Sequence, residues 1–193
     1  MISFKLACKT DPKWVHVILD NFDDFLADHA DCERKASAMA MGFVAKFADR
    51  EEIIPPMIQL ALEELTHFRQ VYEIMKRRGV KLPASFENDP YVNALLKLCR
   101  NGRDERFLDK LIVTSIVESR GAERFRIVSQ ALKDPELKAF YRTLYSAEAK
   151  HGNLFVNLAE LYFDRKTIDK RLDELLREEA RVIKTLAWRP SLH

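Results

Sequence analysis

Two stretches of this chain repeat one arrangement of carboxylates and imidazoles, and that repeat limits the fold more than any other feature. Glu33 is followed by Glu64 and His67, and Glu118 is followed by Glu148 and His151. Each half carries a lone Glu and then a Glu-x-x-His, 31 residues on in the first half and 30 in the second. Residues three apart share a helix face, so each Glu-x-x-His presents a carboxylate and an imidazole side by side. A separation of about thirty residues suits a helical hairpin that returns the second helix level with the lone Glu.

The punctuation of the chain agrees with long helices. Asp11-Pro12, Asp89-Pro90 and Asp134-Pro135 each read as a helix start. Asp accepts hydrogen bonds from the free amides of a first turn, and Pro fits the next position because its missing N–H has no helical partner. A plain turn is the other reading of such a pair. The spacing predicts a first helical stretch from near Pro12, breaking around Asn21, and then a long helix over about 22–47. A junction at 49–56 leads to a helix ending near Arg78, where Gly79 follows three cations, Lys76, Arg77 and Arg78. The loop VKLPASFEN leads to a short helix over about 90–100 and a long one over 103–132. A further helix capped by Asp134 reaches about Phe163, and a charged one covers about 168–185. In that last helix Ile168, Leu172, Leu175, Leu176, Val182 and Ile183 form a packing stripe. No stretch reads as a strand.

Composition supports this picture. The chain has 193 residues, 47% hydrophobic and 32% charged, with only five Gly, which favours helices over a turn-rich β fold. The expectation is an all-α, ferritin-like four-helix bundle: a single domain over 1–193 with its core at about 22–163. Two helical hairpins are joined by a crossover, with extra short helices and a C-terminal helix at about 168–185. The net charge of +2 permits a nucleic-acid partner without pointing to one. Three scattered cysteines, Cys8, Cys32 and Cys99, form no CxxC pair and read as reduced thiols. The polar N-terminus does not read as a signal peptide, and no apolar run is long enough to span a membrane. The expected location is the cytoplasm.

The six repeated residues sit in apolar stripes. Glu33 shares its face with Leu26, Ala30, Ala40 and Val44, and Glu64 with Leu60, Ala61, Phe68 and Val71. Glu118 lies among Leu111, Thr114, Ala122 and Phe125, and Glu148 among Tyr141, Leu144, Tyr145 and Phe155. Buried carboxylates need compensating charge. Two Fe(II) ions balance four carboxylates and two neutral imidazoles, and this donor set suits iron or manganese. Glu33, Glu64, His67, Glu118, Glu148 and His151 are therefore the expected ligands of two iron ions, with manganese as a substitute.

Several neighbours leave choices open. Glu123 competes with Glu118, but its spacing to Glu148 breaks the match between halves. Glu63 reads as a solvated position or a partner of a ligand His, and His29, one turn before Glu33, as a non-ligand. Tyr141 and Tyr145 could donate hydrogen bonds or hold a radical, but suit core packing better. Ala36, Ser37, Ala40, Ser115, Gly121 and Ala122 either leave room for a substrate or let helices pack closely.

The words DHADCERKA, EELTHF, RRGVKL, VESRGAERF and AEAKHGNLF, spread over roughly residues 14–165, resemble the bacterial tRNA hydroxylases that act on methylthio-isopentenyl-adenosine. All six ligand positions match that pattern. The resemblance implies O₂-dependent hydroxylation of the isopentenyl group of a modified adenosine next to the tRNA anticodon. It also implies two electrons from an external reductase, with O₂ as co-substrate. Oligomeric state stays open between monomer and homodimer. Lys76, Arg77, Arg78, Lys97, Arg100, Arg103, Arg106, Arg165, Lys166, Lys170 and Arg171 are candidate phosphate contacts, although cations at helix ends are ordinary. A ferritin-type iron store and a rubrerythrin-like peroxidase are the rival readings of the same ligand set.

Overall fold

The structure is a computed structural model that describes residues 4–86 and 88–193. Residues 1–3, part of the polar N-terminus, and Glu87, read above as loop, lie outside the described residues. The described residues form seven α-helices in order: α1 (Trp14–Asp20), α2 (Phe22–Lys46), α3 (Ile54–Arg78), α4 (Pro90–Leu96), α5 (Arg103–Ala131), α6 (Pro135–Ala159) and α7 (Arg165–Thr185). A 3₁₀ turn at Glu51–Ile53 precedes α3, and no strand occurs among the described residues. Among the described residues no helix is long and apolar enough to cross a membrane.

The chain divides into two compact units. One takes the described residues of His16–Glu87 together with Trp188–Leu192; the other takes those of Met1–Val15 together with Asn88–Ala187 and His193.

In the first unit α2 packs against α3. Phe25, Leu26, Ala30, Ala40 and Phe43 are buried on α2, as are Met57, Leu60, Ala61, Val71, Ile74 and Met75 on α3. Each large apolar side chain so buried contributes about 1.5–3 kcal/mol relative to exposure. The helices approach closely where Ser37 Oγ donates to the Ala61 carbonyl at 2.8 Å. The expected junction at 49–56 is shorter: α3 already begins at Ile54, with Pro55 and Pro56 inside its first turn. Those positions have no helical partner for an N–H, so two prolines cost nothing there. At the other end Gly79 adopts φ +71°. Its N–H donates to Lys76 O and that of Val80 to Met75 O, the paired bonds of a Schellman cap.

In the second unit α5 packs against α6, with α4 and α7 also against α5 and against each other. Every residue from Phe107 to Ile116 except Lys110 is buried. An amphipathic surface helix would bury only one face, so α5 is the centre of this unit. Asp89 and Asp134 cap α4 and α6 through two amides each. Asp11 instead makes a turn, accepting from Lys13 N at 2.8 Å, and α1 starts at Trp14. α7 starts at Arg165, three residues earlier than expected, because Asp164 accepts from Thr167 N and Thr167 Oγ1. α6 ends at Ala159 rather than near Phe163, and the intervening residues form turns. Ile168, Leu172, Leu175 and Leu176 are buried as the stripe on α7 predicted, while Val182 and Ile183 are half-buried.

Candidate metal centre

Glu33 on α2 meets Glu64 and His67 on α3. One donor atom from each of the three lies within 4.8 Å of the others. His67 Nδ1 sits 3.0 Å from Glu64 Oε2 and 3.8 Å from Glu33 Oε2. Both carboxylates are buried, Glu33 at 3% exposure and Glu64 at 1%. The α-helical i,i+3 relation of Glu64 and His67 places them on one face, and the tight contact at Ser37 brings α2 close enough for Glu33 to join them.

The second unit builds the same triad. Glu118 on α5 meets Glu148 and His151 on α6, again with donor atoms within 4.8 Å of one another. His151 Nδ1 lies 3.3 Å from Glu148 Oε2, and all three residues are buried. The approach of α5 to α6 is set beside His151. Ser115 Oγ donates to the Gly152 carbonyl at 2.5 Å. A Cβ on Gly152 would stand 2.7 Å from Ser119 Oγ and 3.3 Å from the Ser115 carbonyl, so a larger residue here would crowd the crossing.

The surrounding side chains have partners that bear on several of these choices. Glu123 is turned elsewhere: it accepts from Thr10 N, from Thr10 Oγ1 at 2.7 Å and from Arg120. Glu118 is the carboxylate of α5 that joins Glu148 and His151. Glu63 accepts from Gln59 on the exposed side of α3. Tyr141 is fully buried against Phe125 and Phe140, a packing role. Ser37 and Ser115 serve close helix contact. Two candidate phosphate contacts have structural work instead: Arg100 and Arg171 both clamp the fully buried Asp109. Burial pushes the Asp109 carboxyl up, but these guanidinium hydrogen bonds more than offset it and hold it below the usual carboxylate value.

Sequence reasoning assigned His29 no task. In the structure its Nε2 lies 2.7 Å from Glu33 Oε1, and its ring is fully buried and stacked on Phe25. The one sequence signal was the i,i+4 spacing to Glu33.

Each triad gathers two carboxylates and one imidazole away from water. Carboxylates this close and this buried repel one another unless a proton or cation lies among them. Oxygen and imidazole donors without thiolate fit iron or manganese. The residues present therefore suit the metals that the ligand pattern called for.

An all-helical chain with a carboxylate–imidazole triad in each helical pair falls in the class of ferritin-like proteins. A solved structure agrees: protein 43 with aldehyde deformylating oxygenase activity, from Synechococcus, superposes with a TM-score of 0.92 at 31% identity, covering 97% of this chain and 94% of that one. The fold is thus that of a ferritin-like helical oxygenase. Residues 1–193 match the family described as tRNA-(MS[2]IO[6]A)-hydroxylase (MiaE), and the chain belongs to that family. A relative from Pseudomonas putida, tRNA 2-(methylsulfanyl)-N(6)-isopentenyladenosine(37) hydroxylase, is 38% identical over 89% of this chain and 82% of its own length. The protein of the same name from Salmonella typhimurium is 28% identical over 80% of this chain and 75% of its own.

Proposed function

We propose that this chain is an O₂-dependent di-iron monooxygenase that hydroxylates the isopentenyl group of a modified adenosine next to the tRNA anticodon. The observation that carries the reading is the pair of matching triads, in a chain whose family is that of tRNA hydroxylases. Family membership also favours this reading over iron storage and peroxidase activity. In it, both units act as one ferritin-like domain in the cytoplasm, and the triads come together to hold two metals.

Glu33, Glu64 and His67 would hold one side of the metal pair, and Glu118, Glu148 and His151 the other. When bound, the irons supply reductive activation of O₂: one oxygen atom enters a C–H bond of the isopentenyl group, and the other leaves as water with two protons and two electrons from an external reductase. The chain's own part is to fix the donors and exclude bulk water. Leu111, Phe125, Leu144 and Phe155, all buried on the helices of the second triad, keep its surroundings apolar. The Nδ1 atoms of His67 and His151 face carboxylate oxygens, which orients both rings toward their triads.

Among the candidate phosphate contacts, Lys97 and Arg106 share a surface cleft of about 450 Å³ with Asn93 and Asn101. Cations beside amide donors suit backbone phosphates. In this reading Lys97 and Arg106 stay candidates for phosphate contact, whereas Arg100 and Arg171 are held by Asp109.

The test is a single-turnover assay. Iron-loaded, chemically reduced protein is given O₂ and tRNA carrying the isopentenylated base. Hydroxylated nucleoside, in an amount matching the iron pairs, is the expected product. An intact metal site that yields none would defeat the reading. A long-chain aldehyde run in parallel, prompted by the activity named for the Synechococcus protein, should give no turnover.

A further inference from the structure

The two triads match residue for residue, but their surroundings differ one helical turn earlier. Four residues before Glu33 stands His29; four residues before Glu118 stands Thr114. His29 is fully buried, as is Phe25, on which its ring stacks with centroids 5.9 Å apart. Its Nε2 lies 2.7 Å from Glu33 Oε1. A carboxylate oxygen only accepts, so Nε2 carries the hydrogen of this bond. Glu33 Oε2, the other oxygen, faces His67 Nδ1 at 3.8 Å and so points into the triad.

We infer that His29 is a positioning residue for the first triad: by holding Glu33 Oε1 it leaves Oε2 as the oxygen offered to metal. The proposal rests on the two-metal reading above. A hydrogen bond to a ligand carboxylate fixes its orientation before metal arrives. Losing such a partner typically costs 10–100-fold in metal affinity. His29 is fully buried on α2 with its ring against Phe25, which limits the room the ring has to turn.

The test is anaerobic titration of the full-length protein with Fe(II), and separately with Mn(II), by calorimetry. Wild type should take two ions per chain. His29→Leu keeps the bulk and removes the donor. It should weaken one of the two binding constants about 10–100-fold and leave the other unchanged. The melting temperature of the metal-free protein reports any damage to packing. His29→Gln restores an N–H at similar reach and should recover most of the lost affinity. His29→Asn, one methylene shorter, should not. If His29→Leu fails to fold, the Gln and Asn variants decide the matter: equal affinities for those two overturn the proposal. Two ions bound with unchanged constants in His29→Leu overturn it as well, as does equal weakening of both. A wild-type protein that takes fewer than two ions overturns the two-metal reading itself, and this proposal with it.

Discussion

Glu179 on α7 accepts from both Arg120 Nε at 2.9 Å and Arg120 Nη2 at 2.7 Å, and neither side chain is exposed at all. The same Glu179 oxygen accepts from Tyr91 Oη, and Arg120 reaches on to Thr10, Glu123 and the Cys8 carbonyl. One guanidinium thus ties α4, α7 and the N-terminal segment to α5. Removing only one partner strands the other charge in the core. Arg120→Met should cost about 3–5 kcal/mol in urea denaturation. Arg120→Met combined with Glu179→Leu should recover a large part of that. A double variant no more stable than the single one would show that the cost lies in the other contacts of Arg120.

Asp89 gives the protein an acid-sensitive contact. Burial raises the pKa of this α4 cap, but the hydrogen bond and charge of His193 and the amides of Val92 and Tyr91 outweigh it, taking it from 3.8 to about 2. A carboxyl depressed in the folded state stabilises above its unfolded pKa and loses that contribution as pH falls through the folded value. The amount is about 2 kcal/mol at most, present above roughly pH 4 and lost toward pH 2. Asp89→Asn keeps the cap geometry and removes the charge. Measured by denaturation across pH, it should be less stable than wild type by about 1–2 kcal/mol at pH 6 and indistinguishable from it near pH 2.

Gly152 tests how closely α5 and α6 must approach. Gly152→Ala places a methyl 2.7 Å from Ser119 Oγ and 3.3 Å from the Ser115 carbonyl. Ser119 can rotate, but the backbone carbonyl cannot. The expected cost is about 1–3 kcal/mol of overpacking, offset in part by the better helix propensity of Ala. Adding Ser119→Ala should relieve part of it. Because Gly152 follows His151 directly, iron content per chain should fall with stability in the single variant and recover in the double.

The sequence was readable where a local rule decides the outcome. Asp89 and Asp134 cap as their Asp-Pro pairs foretold, and Gly79 takes the one positive φ among the described residues. Spacing alone favoured Glu118 over Glu123, and Glu123 proves to hold Thr10 instead. Local rules misjudged several boundaries: Asp11-Pro12 makes a turn, with α1 starting only at Trp14, and α4 ends at Leu96 rather than near Arg100. Pro55 and Pro56 suggested a junction but sit within a first turn, Asp164 caps α7 without a proline to mark it, and α6 stops short of Phe163. What stayed hidden depends on which helix comes near which. Arg100 and Arg171 look alike to any surface cation until α5 brings Asp109 between them. His29 becomes informative only when its ring is seen packed on Phe25 and turned to Glu33.

The central claim is that the two triads form one binuclear centre. Mössbauer and EPR spectra of protein loaded with ⁵⁷Fe(II), two equivalents per chain, and then exposed to O₂ test it most directly. If the six residues share one metal pair, its two Fe(III) ions should be antiferromagnetically coupled: a diamagnetic doublet in Mössbauer, silent in EPR. Glu64→Ala should abolish that species. Isolated high-spin ferric iron in the wild type, with its own EPR signal and magnetic splitting, would contradict the account.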